Sequence, residues 1–543
     1  MRKRTVLHVG LIAVAVVLGV ALVIGLTARP RLEGWLRNTV IATLEKKLDA
    51  EVELQEISVR PGWVTSISGG PLVIRHRAHL DKAPLVKLER FETTMTWREL
   101  LRRPRRVDTI VLTGLAITIP PSPAPGQPRL PGLGGPKEPT PAVATTTVPV
   151  ASTASAGEEK KGPAIIIGRI TADNATLTIL PRELRKLPRI FGLNRLTIRD
   201  VSSDRAMSFA TVVQNPQPRG LVETSGTFGP WNVESPSQTP LQADYRFLDG
   251  DLNTIKGIEG RVQSQGRYSG VLERIQAEGT STTPDFGLDV GGKKMPLATT
   301  FTVVVDGTNG NTYIQPAMAM LGKATPITVT GGVVKAEDTR GRTVDLATQI
   351  VNGRLEEVLA LVIDGDPVMT GRIDLTGALL IPPGPVKVVE KMTLEGRFTL
   401  GRTLFRSTAV QKKLDELSRR AQGRPGDQTV ARVVSAFSGR FRMADGVVRF
   451  PSLTFRVDGA RVELKGAYTV RGQGLNFDGR VRLDAGVSQM VGGKKRFFLR
   501  PFDGLFRRNG ATEFPIHIRG SVKKPEFGVD VKETLKRALI PGR

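Results

Sequence analysis

A period of two constrains this chain more than any other feature. In its second half four Gly-Arg pairs each lead an alternating stretch. These are Gly371-Arg372-Ile373-Asp374-Leu375, Gly396-Arg397-Phe398-Thr399-Leu400, Gly439-Arg440-Phe441-Arg442-Met443 and Gly479-Arg480-Val481-Arg482-Leu483. Apolar side chains at every second position share one face of an extended strand, and charged or polar ones share the other. The glycine ahead of each copy suits a turn or a bulge, where the backbone needs freedom. The pattern predicts a sheet with one apolar and one wet face, and what covers the apolar face decides the function.

Composition narrows the possibilities. A hydrophobic fraction of 40% supports a core, aromatics are only 5%, and 58 glycines with 37 prolines predict frequent turns. The chain has no cysteine, which excludes disulfides, thiolate metal sites and cysteine nucleophiles. A formal charge of +26 implies affinity for an anionic partner, whether nucleic acid, an acidic polymer or lipid headgroups.

The N-terminus favours a membrane. Residues 1–4, Met1-Arg2-Lys3-Arg4, precede a stretch from Thr5 to Ala28 without formal charge, His8 being its one titratable side chain. Its apolar core from Val9 to Leu26 is long enough to cross a bilayer, since roughly 20 residues span ~30 Å of hydrocarbon. A cleaved signal peptide is the competing reading. That would have an apolar region of about 7–15 residues ending in small side chains, whereas Leu26-Thr27-Ala28 puts a leucine there and Pro30 follows. The expectation is a transmembrane anchor over 5–28. Arg2, Lys3 and Arg4 favour a cytoplasmic N-terminus, Arg29, Arg31 and Arg37 oppose it, and the long β-rich body is expected outside.

Beyond the anchor, Leu32, Leu36, Val40, Leu44 and Leu48 predict an amphipathic helix from Arg31 to Leu48. It would cap a sheet or lie in the membrane interface, and capping is the role that folding requires. Strand patterns follow at Val52 to Val59 (with a one-residue slip), Pro71 to Ile74, Leu85 to Leu88 and Ile110 to Ile119. A short arginine-rich helix is expected over Trp97 to Arg106. Residues 120–162 are rich in Pro, Ala, Thr and Gly and are read as a disordered loop inserted into a continuing sheet. Short strands resume at Ala164 to Ile170, Thr176 to Ile179, Leu196 to Ile198, Leu241 to Phe247, Phe301 to Val305 and Ile327 to Val329, with a short helix at Asn311 to Leu321. Two clearer helices follow. One is capped by Ser407 or Thr408, with Thr408 and Gln411 as a capping box and Val410, Leu414 and Leu417 on one face, and it ends at Gly423. The other spans Val531 to Leu539, capped by Asp530 with Glu533.

Signs of catalysis are absent. His76 and His79 stand among arginines without a carboxylate cluster, and His517 lies on the polar side of an alternating strand with no nucleophile motif nearby. Gly331-Gly332 and Gly291-Gly292-Lys293-Lys294 lack the spacing of a phosphate loop. The chain is expected to be no enzyme and to need no cofactor or metal. Nucleic acid ranks last among partners, because the basic residues are dispersed and rarely interleave with aromatics.

The segment Phe437 to Asp484 includes Arg461-Val462-Glu463-Leu464-Lys465 and Leu475-Asn476-Phe477-Asp478. It closes with Phe514-Pro515-Ile516-His517-Ile518-Arg519-Gly520-Ser521-Val522 and Lys524-Pro525-Glu526-Phe527. With Leu379-Leu380-Ile381-Pro382-Pro383-Gly384 through the helix at Leu414 to Arg420, and the order of anchor, helix and first strands up to Ile119, this resembles the AsmA family. The resemblance covers both ends of the chain and is thin in the middle. It implies a mainly β fold, in which one N-terminal transmembrane helix precedes an elongated, repetitive antiparallel sheet bent into a trough (β-taco-like) with a few short packing helices. The parts would be an AsmA-like N-terminal helix and strands at 29–119, the insertion at 120–162, a central β-repeat region at 163–360 and an AsmA-like C-terminal β-region at 361–543. It further implies a single-pass protein of the bacterial inner membrane with a periplasmic body. That body would bind or conduct phospholipid along the groove in support of outer-membrane biogenesis; the alternative is a scaffold or chaperone for envelope protein assembly.

The expected groove side chains are Phe441, Met443, Leu453, Phe455, Val457, Val462, Leu464, Leu475, Phe477, Val481 and Leu483. Their partners would be phospholipid acyl chains, with an envelope protein as a further possibility. A closed sandwich, with the same side chains filling a core, is the other way to cover them. About 25 strands at ~4.8 Å spacing would extend on the order of 120 Å.

Overall fold

The computed structural model describes residues 32–48, 50–60, 64–76, 83–96, 105–119, 165–179, 188–201, 205–230, 238–271, 273–289, 291–306, 310–335, 341–363, 365–426, 433–470, 472–490, 507–508, 511–521 and 524–529. The expected anchor at 5–28, residues 97–104 of the helix expected over Trp97 to Arg106, the insertion at 120–162, His79 and the C-terminal helix at 531–539 lie outside the described residues, and Arg105 and Arg106 belong to a strand and not to that helix. No described helix is long and apolar enough to cross a membrane. The protein is mainly β, with a long, mostly antiparallel sheet and few helices. It divides into two compact units. One comprises Met1–Gly250, Gln263–Glu278 and Val305–Asn309, and the other comprises Asp251–Val262, Gly279–Val304 and Gly310–Arg543.

The first unit opens with helix α1 (Leu32–Leu48). Its four-residue spacing puts Leu36, Val40 and Leu44 on one face, and these are 2%, 1% and 0% exposed. Burial of that completeness contributes about 1.5–3 kcal/mol per side chain, so the face is occupied by the sheet. Two hydrogen bonds fix the contact to β1 (Ala50–Arg60). Arg37 Nε donates to Leu54 O at 2.5 Å, and Val59 N donates to Glu33 Oε1 at 3.2 Å. Strand β1 pairs antiparallel with β2 (Val64–His76) in unbroken register. The buried side chains nevertheless change phase along both strands, from Val52 and Leu54 to Ile57 on β1 and from Ile74 and Leu72 to Ile67 on β2. The slip expected after Leu54 is therefore a phase change shared by a strand pair.

Next come β3 (Val86–Leu88), β4 (Arg90–Thr96), β5 (Arg105–Thr113) and β6 (Ala116–Ile119), then β7 (Ile165–Asp173), β8 (Ala175–Ile179) and β9 (Arg189–Val201). Here the pairing departs from the antiparallel rule. Strand β5 runs parallel to β7 and β6 parallel to β8, each residue facing the one sixty positions later, as Val107 faces Ile167 and Ile119 faces Ile179. The joints match too, since Gly114 at φ 65° and Asn174 at φ 54° both adopt the left-handed conformation that Gly and Asn tolerate best. A filled core unites Leu36, Val40 and Leu44 with Phe91, Ile110, Ile167 and Ile170. Strands β10 (Met207–Pro216), β11 (Arg219–Phe228) and β12 (Pro240–Asp251) continue as meandering pairs. In chain order β13 (Ile258–Glu259), β14 (Arg261–Val271) and β15 (Arg274–Leu288) follow, with β13 and the part of β15 from Gly279 onward belonging to the second unit. Most of these strands have 10–15 residues, well beyond the short runs the alternation outlined.

The second unit includes β16 (Met295–Val305), β17 (Thr312–Leu321), β18 (Thr325–Lys335) and β19 (Arg342–Arg354). The helix expected at Asn311 to Leu321 is strand β17. A register shift between Ile314 and Ala317 breaks its alternation, which hid the period of two. Helix α2 (Leu355–Val362) follows directly, then β20 (Met369–Ile381), the single turn α3 (Val388–Lys391), β21 (Thr393–Phe405) and helix α4 (Thr408–Ala421). Ser407 caps α4, its hydroxyl accepting from Val410 N at 3.4 Å. The capping box with Gln411 does not form. Gln411 sits one position too far along, accepting from Phe405 N and donating to Val433 O. An antiparallel ladder of β22 (Ser435–Ala444), β23 (Val447–Val457), β24 (Ala460–Thr469) and β25 (Gly474–Leu483) then joins β27 (Ala511–Gly520), flanked by the short β26 (Arg507–Arg508) and β28 (Pro525–Val529).

Candidate functional site

The apolar face of β20 to β25 and β27 is laid out in rows across the strands. One row joins Leu375, Phe398, Gly439, Leu453, Leu464, Gly479 and Ile516, each in register with the next. Of the four Gly-Arg pairs, only Gly371 stands at an irregularity, the register shift between Thr370 and Arg372. Gly396, Gly439 and Gly479 are not strand openers at turns; they lie within β21, β22 and β25, on the apolar face. Their role is space. A Cβ on Gly396 would meet the Phe441 ring at 3.1 Å, and one on Gly439 would meet the Phe398 ring at 3.2 Å. Gly466 does the same for Phe477, at 2.8 Å. Each missing side chain leaves room for an aromatic ring from the neighbouring strand. The following arginines, Arg372, Arg397, Arg440 and Arg480, are all exposed on the other face, as the alternation predicts.

Those rings form two chains of contacts. Phe441 lies 6.3 Å from Phe398, which lies 6.4 Å from Phe450, which lies 5.7 Å from Phe477 (between ring centroids). Separately, Phe405, Phe437 and Phe455 are spaced at 6.0 and 4.7 Å. These distances fall within the range of favourable aromatic pairs.

The face is covered at one end of the strands. Helix α4 supplies Leu414, Leu417 and Ala421, and Val487 and Met490 join them over Phe455, Val457, Val462, Val481 and Leu483. Helix α2 supplies Leu355, Val358 and Leu359 over Ile350, Ile373 and Leu400. Glu357 pins α2 in place, its buried carboxylate accepting from Thr325 Oγ1 at 2.6 Å and Lys323 N at 2.9 Å. The clusters beneath α2 and α4 do not extend to the other end of the strands. Phe441, Phe450, Leu475, Leu379 and Leu394 are half-buried there, while Met443 and Phe477 are 7% and 6% exposed. Burial raises the Tyr468 phenol above its ordinary pKa, so this end is apolar even where it is partly open.

The expected groove residues therefore divide. Phe455, Val457, Val462, Val481 and Leu483 belong to the helix-covered core. Leu453 and Leu464 are half-buried at its margin, and Phe441, Met443, Leu475 and Phe477 lie toward the uncovered end. Phe398, Phe450 and Tyr468 share the face and were missed. The register shift between Phe450 and Leu453, at Pro451-Ser452, moves Phe450 out of phase with the alternation that marks Phe455.

In the first unit, β12 and β14 carry the half-buried tyrosines Tyr245 and Tyr268, whose hydroxyls meet those of Ser264 on β14 and Thr224 on β11. Tyr268 OH lies 2.9 Å from Thr224 Oγ1, and Tyr245 OH lies 3.1 Å from Ser264 Oγ. Burial raises both phenol pKa values, and the hydrogen bonds partly offset it. Among the described residues no group of three or more His, Asp or Glu is placed to hold a metal ion. His517 stands opposite Asp478 and Gly528 on the polar face of β27. Compared with family models, with curated proteins and with solved structures, the chain matches none.

Proposed function

We propose that this protein is a membrane-tethered lipid binder. Its anchor is the apolar segment at 5–28, and the body holds phospholipid acyl chains against the aromatic end of its sheet in the service of envelope assembly, without catalysing a reaction. One observation carries the reading. Phe441, Phe450 and Leu475 are only partly buried on an apolar face whose other end is covered by two helices. Large apolar side chains left partly open together favour an apolar ligand, because completing their burial recovers a share of the about 1.5–3 kcal/mol that full burial of each is worth. Acyl chains fit the chemistry, since the row offers rings, methylenes and glycine gaps and no charge. The covered end would act as a stop. A chain lying along Phe441, Phe398 and Leu453 meets α4 before it reaches Val457.

Photo-crosslinking tests this in the full-length chain. A benzophenone side chain at Phe441 or Leu475 is expected to yield phospholipid adducts, and one at Glu416, exposed on the outer side of α4, none. Adducts to protein alone at Phe441 would reject lipid binding and favour an assembly scaffold. Equal lipid labelling at Glu416 would reject a localised site.

A further inference from the structure

The opposite face of the same ladder has a composition that the lipid site does not use. One row runs Met318, Thr328, Gln349, Thr376, Arg397, Arg440 and Ser452 across β17 to β23. It begins apolar at Met318 and turns basic at Arg397 and Arg440. On the β17 to β20 side Tyr313 is 51% exposed, Met318 67%, Met320 41%, Val351 56% and Leu380 43%. On the β21 to β25 side arginines meet arginines in register: Arg397 faces Arg440, Arg442 faces Arg449, and Arg456 faces Arg461, which faces Arg482.

Like charges directly opposed on neighbouring strands oppose folding. The nearby acids relieve only part of this. Glu463 pairs with Arg461, Glu513 with Arg482 and Arg480, and Asp478 with Arg519. Asp374 is taken by the backbone N of Asn352. Glu395, in register with Arg442, and Asp345 remain. Among the described residues, Arg397, Arg440, Arg442, Arg449 and Arg456 form no ion pair.

We infer that this face of the second unit docks onto the surface of an anionic phospholipid bilayer. The unpaired arginines would lie against headgroup phosphates while Met318, Met320, Val351 and Leu380 enter the boundary below them. The charge pattern calls for an anion, and three features favour a bilayer over a polymer. Exposed apolar side chains adjoin the basic ones, which only an amphiphilic surface satisfies together. Nine strands from β17 to β25 extend the face to roughly 40 Å measured along the sheet, which suits a broad lattice of phosphates. Between the arginines stand Ser438, Ser452, Thr454 and Ala436, so nucleic-acid bases would find no ring to stack on there. The inference does not depend on the acyl-chain site, which uses the other face.

The absence of cysteine makes the test direct. Met318→Cys in the full-length chain is labelled with an environment-sensitive fluorophore, and the protein is mixed with vesicles of phosphatidylcholine alone or of phosphatidylcholine with phosphatidylglycerol. Any anchor is common to both samples, so the difference between them reports the face. A blue shift with anionic vesicles only, reversed by high salt, is the expected result. Arg440→Glu with Arg442→Glu is expected to raise the half-saturating anionic lipid concentration about tenfold or more. Should that variant unfold, the salt dependence of the Arg440-containing chain decides instead. The same emission with both vesicle types, or a shift indifferent to salt, overturns the inference. So does saturation by soluble polyphosphate that leaves the label in water, which would make the anion a polymer. A label at Phe441→Cys responding equally to both vesicle types, while Met318→Cys stays unchanged, also overturns it and leaves the acyl-chain site standing.

Discussion

Phe441 lies across the strand pair from Gly396, and its ring sits where a side chain on that glycine would begin. The relation recurs between Phe398 and Gly439 and between Phe477 and Gly466, so glycine and aromatic residues are chosen as pairs. Substitution should therefore be costly in a graded order. Gly396→Ala and Gly479→Ala would drive a methyl group into the backbone oxygens of Thr376 and Glu463. Each is expected to lose about 1–3 kcal/mol. Gly401→Ala, with nothing within 4 Å, is the control within β21. Thermal melts of the three variants check the order.

The covered and uncovered ends of the apolar face should respond differently to truncation. Phe455 is 8% exposed beneath α4 and lies 4.7 Å from Phe437. Phe455→Ala should cost about 3–5 kcal/mol. Phe441→Ala, at a half-buried position, should cost clearly less, while reducing any lipid retained by the purified chain. Chemical denaturation measures the first quantity and mass spectrometry of extracted lipid the second. Equal destabilisation would mean that the uncovered end is packed as tightly as the covered one.

Arg397 and Arg440 offer a gain of stability. Arg397→Glu turns a repulsive cross-strand pair into an attractive one and should add about 0.2–1 kcal/mol at low salt. The gain should shrink as salt is added, because both side chains are exposed. A melting-temperature series in sodium chloride tests both statements.

Asp366 should titrate unusually late on acidification. Lys293 Nζ donates to its Oδ1 at 2.6 Å, and the charges of Lys293 and Arg406 add to that bond, so the carboxyl is held below its ordinary pKa. A lowered folded-state pKa means that the pair's contribution is present above the unfolded value. It is lost as pH falls from there through the folded value. The carboxylate is fully exposed, so the measurable effect is on titration more than on stability. Lys293→Met should move the Asp366 carboxyl resonance midpoint upward, toward free aspartate.

Much of the strand content was legible, and the reason is local. Alternation at Ile373 and Leu375, or at Val462 and Leu464, needs only neighbouring residues to be read. Helix α1 was equally plain from Leu36, Val40 and Leu44. Where the pattern failed, a long-range or irregular feature had intervened. The register shift in β17 disguised a strand as a helix, and the one after Phe450 concealed an aromatic of the site. Helix α2 went unnoticed because its eight residues continue directly from β19 with no capping side chain at Arg354. The role of the glycines was hidden for a different reason. The ring that needs the space of Gly439 belongs to Phe398, on another strand, and sequence distance carries no sign of it.

The parallel pairing of β5 with β7 and of β6 with β8 has a consequence for how much chain must join them. After β6 the polypeptide has to return to the start of the same track before β7 can begin. That track is about 15 residues long, or roughly 50 Å, and an extended connector needs about 15 residues to retrace it. Forty-five residues separate Ile119 from Ile165. About two thirds of them are slack with respect to reach, and extra slack is cheap, since doubling a loop costs only about 0.6 kcal/mol. Length in that segment is thus nearly neutral for the ladder, and additions or losses there are free to accumulate without disturbing a single rung.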